Sequence, residues 1–123
     1  MKDKKILVIS SEVVPYLPQT EKAVNSFSVS RKINANGGMT RIFMPKYGMI
    51  NERRHQLHEV IRLSGMNMLI NDLYMPLIIK VASIPKERMQ VYFIDNEEYF
   101  KRKELLLDKD DKLLKDNDER MIF

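Results

Sequence analysis

A few short stretches of the 123-residue chain carry side chains with chemical reach. Ser10-Ser11-Glu12 closes the apolar run Ile6-Leu7-Val8-Ile9. Open α/β sheets bind ligands beyond the carboxyl ends of parallel strands, so Glu12 is placed either to meet a substrate hydroxyl or to cap its own turn. His55 and His58 are spaced i, i+3 and would share one face of a helix as metal ligands. No third ligand accompanies them, and the polar run Asn51 to Glu59 points to a surface or loop role. Asp108, Asp110, Asp116 and Glu119 fit a calcium-loop register, but Lys112 and Leu113 stand where that loop needs an oxygen ligand and a glycine. A solvated charged loop is the expectation there. Lys101-Arg102-Lys103 offers cations to a phosphate, yet Glu104 and Asp108 beside it make a surface patch the better reading. Gly37-Gly38 ends a helical pattern instead of opening one, which suits a helix cap and not a phosphate cradle. The chain has no nucleophile–base pair, no Walker loop and no G-x-G-x-x-G. These residues alone name no catalytic side chain, no metal and no cofactor.

The elements that must position them alternate as strand, helix, strand. Lys5-Ile6-Leu7-Val8-Ile9 is a continuous apolar run, the pattern of a strand buried on both faces of a parallel sheet. Pro15 and Pro18 keep the next stretch out of helix. Thr20 opens a helical pattern whose apolar stripe includes Ala23, Val24, Phe27 and Ile33. Thr40 to Met44 reads as a second strand, ended by Pro45. Leu57 to Leu63, Met66 to Ile70 and Pro76 to Ile84 are β-rich segments with turns at Gly65 and Asn71-Asp72, which suggests an antiparallel ribbon beside the sheet. Met89 to Ile94 is a further strand, with a short helix around Glu97 to Lys101. Residues 101–117 are highly charged and read as an exposed excursion. Asp116-Asn117-Asp118-Glu119 then resembles a helix start, with acids at the positive end. Met44, Met66, Met68 and Met89 fall at strand positions and are expected to fill the core.

Composition narrows the class. At 14.6 kDa the chain makes one domain, and 44% hydrophobic with 31% charged residues is a globular balance. No apolar run approaches the roughly 20 residues that span a bilayer, and no secretory signal is visible. With no cysteine, disulfides, thiol catalysis and Cys-ligated zinc are excluded. A net charge of +4 spread over 21 basic and 17 acidic residues describes a mixed surface and not a nucleic-acid footprint. A cytoplasmic protein with no nucleic-acid or membrane partner is the expectation.

Four segments together resemble the first part of the catalytic domain of bacterial glycogen (starch) synthases. Lys5 to Tyr16, KILVISSEVVPY, is similar to the family's opening strand and its S-E-x-x-P-[FY] turn. Thr40 to Gly48, TRIFMPKYG, resembles its second strand and M-P-[KR]-Y-G turn. Val91 to Phe100 is similar to a later strand and short helix, and Asp116 to Phe123 to the D-N-x-x-R-F helix start. The resemblance covers most of residues 4–50 and 89–123, while the ribbon at 52–88 matches only in kind. It implies an α/β fold, a partial Rossmann-like domain (the N-terminal half of a GT-B enzyme) with a parallel sheet and an inserted β-ribbon. It implies retaining glucosyl transfer from ADP-glucose to an α-1,4-glucan without a metal or other cofactor. Ser11, Glu12, Tyr16, Lys46, Tyr47 and Gly48 are the substrate-binding residues it implies. None of them is implied as a catalyst.

The departures shape the expectation for this chain. The family's K-T-G-G-L, whose lysine and glycines approach the donor's phosphates, aligns with Pro18, Gln19, Thr20, Glu21 and Lys22. The family's H-x-H-[DG]-W motif would lie after Phe123, and its second domain has no counterpart here. Residues 1–123 are therefore expected to be an N-terminal segment, incomplete at its C-terminal end and inactive alone, that pairs with the rest of the synthase or with itself. A non-catalytic α/β module binding a nucleotide, a glucan or a protein is the alternative. A receiver-like signalling domain is a third reading, with Asp95 as the phosphorylated residue, but only one carboxylate follows the first strand. An open strand edge predicts marginal stability, so a monomer melting sharply above ~65 °C would count against an incomplete domain.

Overall fold

The computed structural model describes residues 4–17, 20–84, 89–100, 115 and 117–123. In chain order its elements are β1 (Lys5–Ile9), α1 (Glu21–Ala35), β2 (Met39–Pro45), α2 (Glu52–His55), β3 (His58–Glu59), a 3-10 turn (Ile61–Leu63), β4 (Met66–Ile70), β5 (Leu73–Ser83), β6 (Gln90–Asp95), α3 (Glu97–Phe100) and α4 (Asn117–Ile122). The main sheet runs β1-β2-β6-β5-β3, with β4 paired to β5. β1, β2 and β6 are mutually parallel, and β5 lies antiparallel to β6. The α/β class and the parallel sheet expected from the sequence are present. The charged excursion, except Lys115 and Asn117, lies outside the described residues together with its basic triplet at 101–103, as do Pro18 and Gln19.

Local chemistry explains the helix that spans the first two strands. Thr20 caps α1: its extended backbone lets Oγ1 accept from the Ala23 N–H at 3.1 Å. Glu21 in the first turn and Lys32 in the last both suit the helix dipole. At the far end Gly37 takes φ +88°, and the Gly38 N–H reaches the Ile33 carbonyl at 3.0 Å, a left-handed stop that a side chain would strain. Ala23 and Ser30 are buried against the sheet. The Thr40 N–H donates to Asn34 Oδ1 at 3.1 Å, and Thr40 Oγ1 donates to the Ser30 carbonyl at 3.4 Å, tying α1 to β2.

The ribbon is real but better anchored than its sequence suggests. Asn71 and Asp72 both adopt left-handed φ (48° and 63°), the pair a two-residue hairpin needs. After pairing with β4, β5 continues into the main sheet against β6, from Ile78↔Asp95 to Ser83↔Gln90. Pro76 withholds an N–H within β5, yet its carbonyl accepts from Asn96 Nδ2 at 3.0 Å.

The core lies on the α1 side of the sheet. Ile42 and Met44 of β2 meet Val91 and Phe93 of β6, closed over by Val13, Tyr16 and Leu17 from the loop after β1. Met44 and Met89 fill that core as expected, whereas Met66 is exposed on the ribbon. β1 departs from its expected burial on both faces. Leu7 is 59% and Ile9 76% exposed, because among the described residues only the face toward α1 is covered and no strand pairs beyond β1. An apolar edge of this kind, charged only at Lys5, recruits other strands. Sedimentation of the 123-residue chain should therefore show concentration-dependent association, reduced by Ile9→Lys. A monomer at all concentrations would contradict this.

Candidate functional site

The carboxyl ends of β1, β2 and β6 converge on one side of the sheet, and the expected site residues lie in or behind that rim. Ser10 closes the first turn. Its Oγ donates to the Glu12 carbonyl at 2.9 Å and accepts from the Glu12 N–H at 3.3 Å and from the Ser26 hydroxyl at 2.8 Å. The turn is thus capped by Ser10, and the Glu12 carboxylate is left for other work. It accepts from Thr20 Oγ1 at 3.4 Å and lies 3.8 Å from Lys22 Nζ, at the start of α1. Ser11 lines a cavity of about 230 Å³ shared by Ile9, Phe43, Pro45, Ile94 and the α4 residues Arg120 and Met121.

The second turn is mostly buried. The Lys46 N–H donates to the Ile94 carbonyl at 2.8 Å, prolonging the β2–β6 ladder, and its Nζ stands 3.7 Å from Glu52. Tyr47 is buried edge-on to Phe100, with centroids 6.0 Å apart, and the Arg120 guanidinium lies 5.8 Å from its ring. Burial raises the Tyr47 hydroxyl; the Arg120 charge opposes that and the Glu12 charge adds to it. Tyr47 therefore feels both the β1 turn and α4, so the three elements meet around it. Gly48 is exposed, and its N–H donates to the Phe100 carbonyl at 2.6 Å. Tyr16 sits deeper, edge-on to both His55 and Phe93 at 4.9 Å, and burial pushes its hydroxyl up to about 12. Gly48 is thus exposed, Ser11 and Glu12 are half-buried at the rim, and Tyr16, Lys46 and Tyr47 build the wall behind them.

The two histidines do not share a helix. Gln56 turns left-handed (φ 55°) and ends α2 at His55, which leaves His58 in β3. Burial, then the Arg54 charge, lowers the His55 imidazole below its ordinary value. Among the described residues no group of three or more His, Cys, Asp or Glu could hold a metal ion.

One cluster went unread in the sequence. Lys80 on β5 bridges Glu52 Oε1 at 2.6 Å and Asp95 Oδ2 at 2.7 Å. A lone lysine in the apolar run Ile78-Ile79-Lys80-Val81-Ala82 was the available signal, since a half-buried cation needs a partner. Burial lowers Lys80, but hydrogen bonds to Asp95 and Glu52 outweigh it and leave it raised. Burial raises the Glu52 carboxyl, but the Lys80 hydrogen bond and the Lys46 and Lys80 charges outweigh that and leave it lowered. The lowered Glu52 stabilises the fold above its unfolded value and loses that contribution as pH falls through its folded one. The raised Lys80 has the opposite sign and fails only at alkaline pH. Between about pH 5 and 3, the urea midpoint of the wild type should thus fall more steeply than that of Glu52→Gln. Parallel curves would contradict the pairing.

The model of the starch synthase catalytic domain matches residues 5–123. The chain belongs to this family. It is 39% identical over 120 residues to glycogen synthase of Chlorobium limicola, a match covering 97% of this chain and 24% of that protein. Glycogen synthase of Chlorobium luteolum gives 38% over 122 residues, again 97% and 24%. That of Chlorobium chlorochromatii gives 40% over 101 residues, covering 82% and 21%. The chain thus spans a quarter or less of the length of these relatives. Among solved structures, the catalytic domain of starch synthase IV from Arabidopsis thaliana, bound to ADP and acarbose, superposes with a TM-score of 0.71. That match has 15% identity and covers 89% of this chain and 22% of the other, a likeness of fold. The receiver-like reading falls with the family match, and Asp95 is engaged by Lys80.

Proposed function

We propose that residues 1–123 form the first segment of a retaining glucosyltransferase domain. The complete polypeptide transfers glucose from ADP-glucose to an α-1,4-glucan in the cytoplasm, without a metal. The observation that supports this most is the family match through residues 5–123, with its two motif turns at neighbouring strand ends. In this reading Ser11 and Glu12 meet sugar hydroxyls at the β1 end. Gly48 gives the ligand close approach at the β2 end, and Tyr16, Lys46 and Tyr47 hold that rim in place. The facing half of the cleft comes from polypeptide outside this chain, so residues 1–123 alone do not turn over. Isothermal titration tests the reading: the product of the reading frame carried past the Phe123 codon should bind ADP, and the 123-residue chain should not.

One observation favours a second reading, a non-catalytic module that binds a nucleotide, a glucan or a protein. Glu12 and Lys22 pair at the start of α1, where the family's glycines admit phosphate and this chain has Thr20 and Glu21. Binding of ADP or maltoheptaose by the 123-residue chain itself, with no turnover by the longer product, would favour that module.

A further inference from the structure

The Lys46-Tyr47-Gly48 turn is held at each of its residues by one neighbouring stretch, the end of β6 and α3. The Lys46 N–H donates to the Ile94 carbonyl at 2.8 Å, the Tyr47 ring lies edge-on to Phe100, and the Gly48 N–H donates to the Phe100 carbonyl at 2.6 Å. Between Ile94 and Phe100 the chain leaves the strand and enters a helix of four residues, Glu97–Phe100. A helix that short has almost no stability of its own, so its direction must be set from outside.

Asn96 stands at that corner, 2% exposed, and its side chain uses both ends. Oδ1 accepts from the Tyr99 N–H at 3.1 Å, which caps α3. Nδ2 donates to the Pro76 carbonyl on β5 at 3.0 Å. The Asn96 carbonyl accepts in turn from the Phe100 N–H at 2.9 Å. A cap alone needs neither burial nor a second partner on another strand. The pair of bonds needs a donor and an acceptor on one short side chain: an ionised Asp lacks the donor, and a serine hydroxyl lacks the reach. Asp95 beside it is tied to the same strand through Lys80 at 2.7 Å, so β5 grips the corner twice.

We infer that Asn96 is a positioning residue for the rim: through α3 it fixes the Phe100 carbonyl, and with it the Gly48 backbone that the ligand approaches. That Gly48 meets a ligand rests on the proposed glucosyl-transfer reading. That Asn96 sets Gly48 rests on the bonds alone.

Amide hydrogen exchange of the 123-residue chain separates positioning from stability, because the Lys46 and Gly48 bonds lie on either side of Asn96. Asn96→Ala should speed exchange at Gly48 about tenfold, the effect of a lost cap, and leave Lys46 within about twofold of wild type. A general loss of stability would speed both alike. Asn96→Ser keeps a capping oxygen and gives up the Pro76 bond; it should speed Gly48 about threefold, and it decides if the alanine variant does not fold. Gly48 exchanging at the wild-type rate in a folded variant, or Lys46 speeding as much as Gly48, would overturn the inference. In the product of the frame carried past Phe123, Asn96→Ala should also weaken ADP binding about tenfold by isothermal titration. Equal affinity there would overturn the link from Asn96 to the ligand. If the wild-type longer product binds no ADP, the functional reading fails, and the exchange rates still decide whether Asn96 sets Gly48.

Discussion

Phe93→Ala is expected to abolish the cooperative urea transition of this chain or bring its midpoint close to zero denaturant. Phe93 is fully buried on β6, between Met44 of β2 and Lys80 of β5, with Tyr16 edge-on at 4.9 Å. Its neighbours belong to paired strands and cannot collapse into the space it would leave. Truncations of this kind cost about 3–5 kcal/mol. A domain has only ~5–15 kcal/mol in all, so a loss of this size takes a large share of it. Tyr92, one residue earlier on the open face, provides the contrast. Its ring stacks on Phe43 but is half-exposed, so Tyr92→Ala should cost about 1 kcal/mol. If the two variants unfolded at similar midpoints, the core would not lie on the α1 side.

The second large effect concerns Lys80. Lys80→Met strands Asp95, whose side chain is 9% exposed, and frees Glu52 from β5. Removing one partner of a buried pair costs about 3–5 kcal/mol, and the partial exposure of Lys80 places this case near the lower figure. Converting both partners, Lys80→Met with Asp95→Leu, should recover most of the loss, because the desolvated charge goes as well. Equilibrium unfolding of the single and double variants checks this. A double variant no more stable than the single would mean that Asp95 holds its place through other groups.

Much of this architecture was legible because local chemistry and global fold agree. The apolar run at Lys5–Ile9, the Thr20 cap, the glycine stop at Gly37 and the Asn71-Asp72 turn each work through their immediate neighbours. The misses share a cause, since each depends on what lies across the sheet. An apolar strand reads as buried on both faces whatever covers it, so the exposure of Leu7 and Ile9 could not be seen. The continuation of β5 past Pro76 into the main sheet needs β6 as partner. The Lys46–Glu52–Lys80–Asp95 cluster joins four segments that have no common spacing. At the candidate site the strand-end turns were legible from their motifs. The division between the rim residues Ser11, Glu12 and Gly48 and buried Tyr16, Lys46 and Tyr47 required the packing of α4 and Phe93.

On the proposed reading these strand ends belong to a glucosyl-transfer site completed by further polypeptide. Its most direct test is transfer of labelled glucose from ADP-glucose to glycogen, comparing the 123-residue chain, the product of the frame carried past Phe123, and that product with Glu12→Ala. Transfer by the longer product alone, lost or cut by about 100-fold on Glu12→Ala, is the expected result, since a misplaced substrate costs roughly that much. Transfer by the 123-residue chain itself, or a longer product indifferent to Glu12, would contradict this reading.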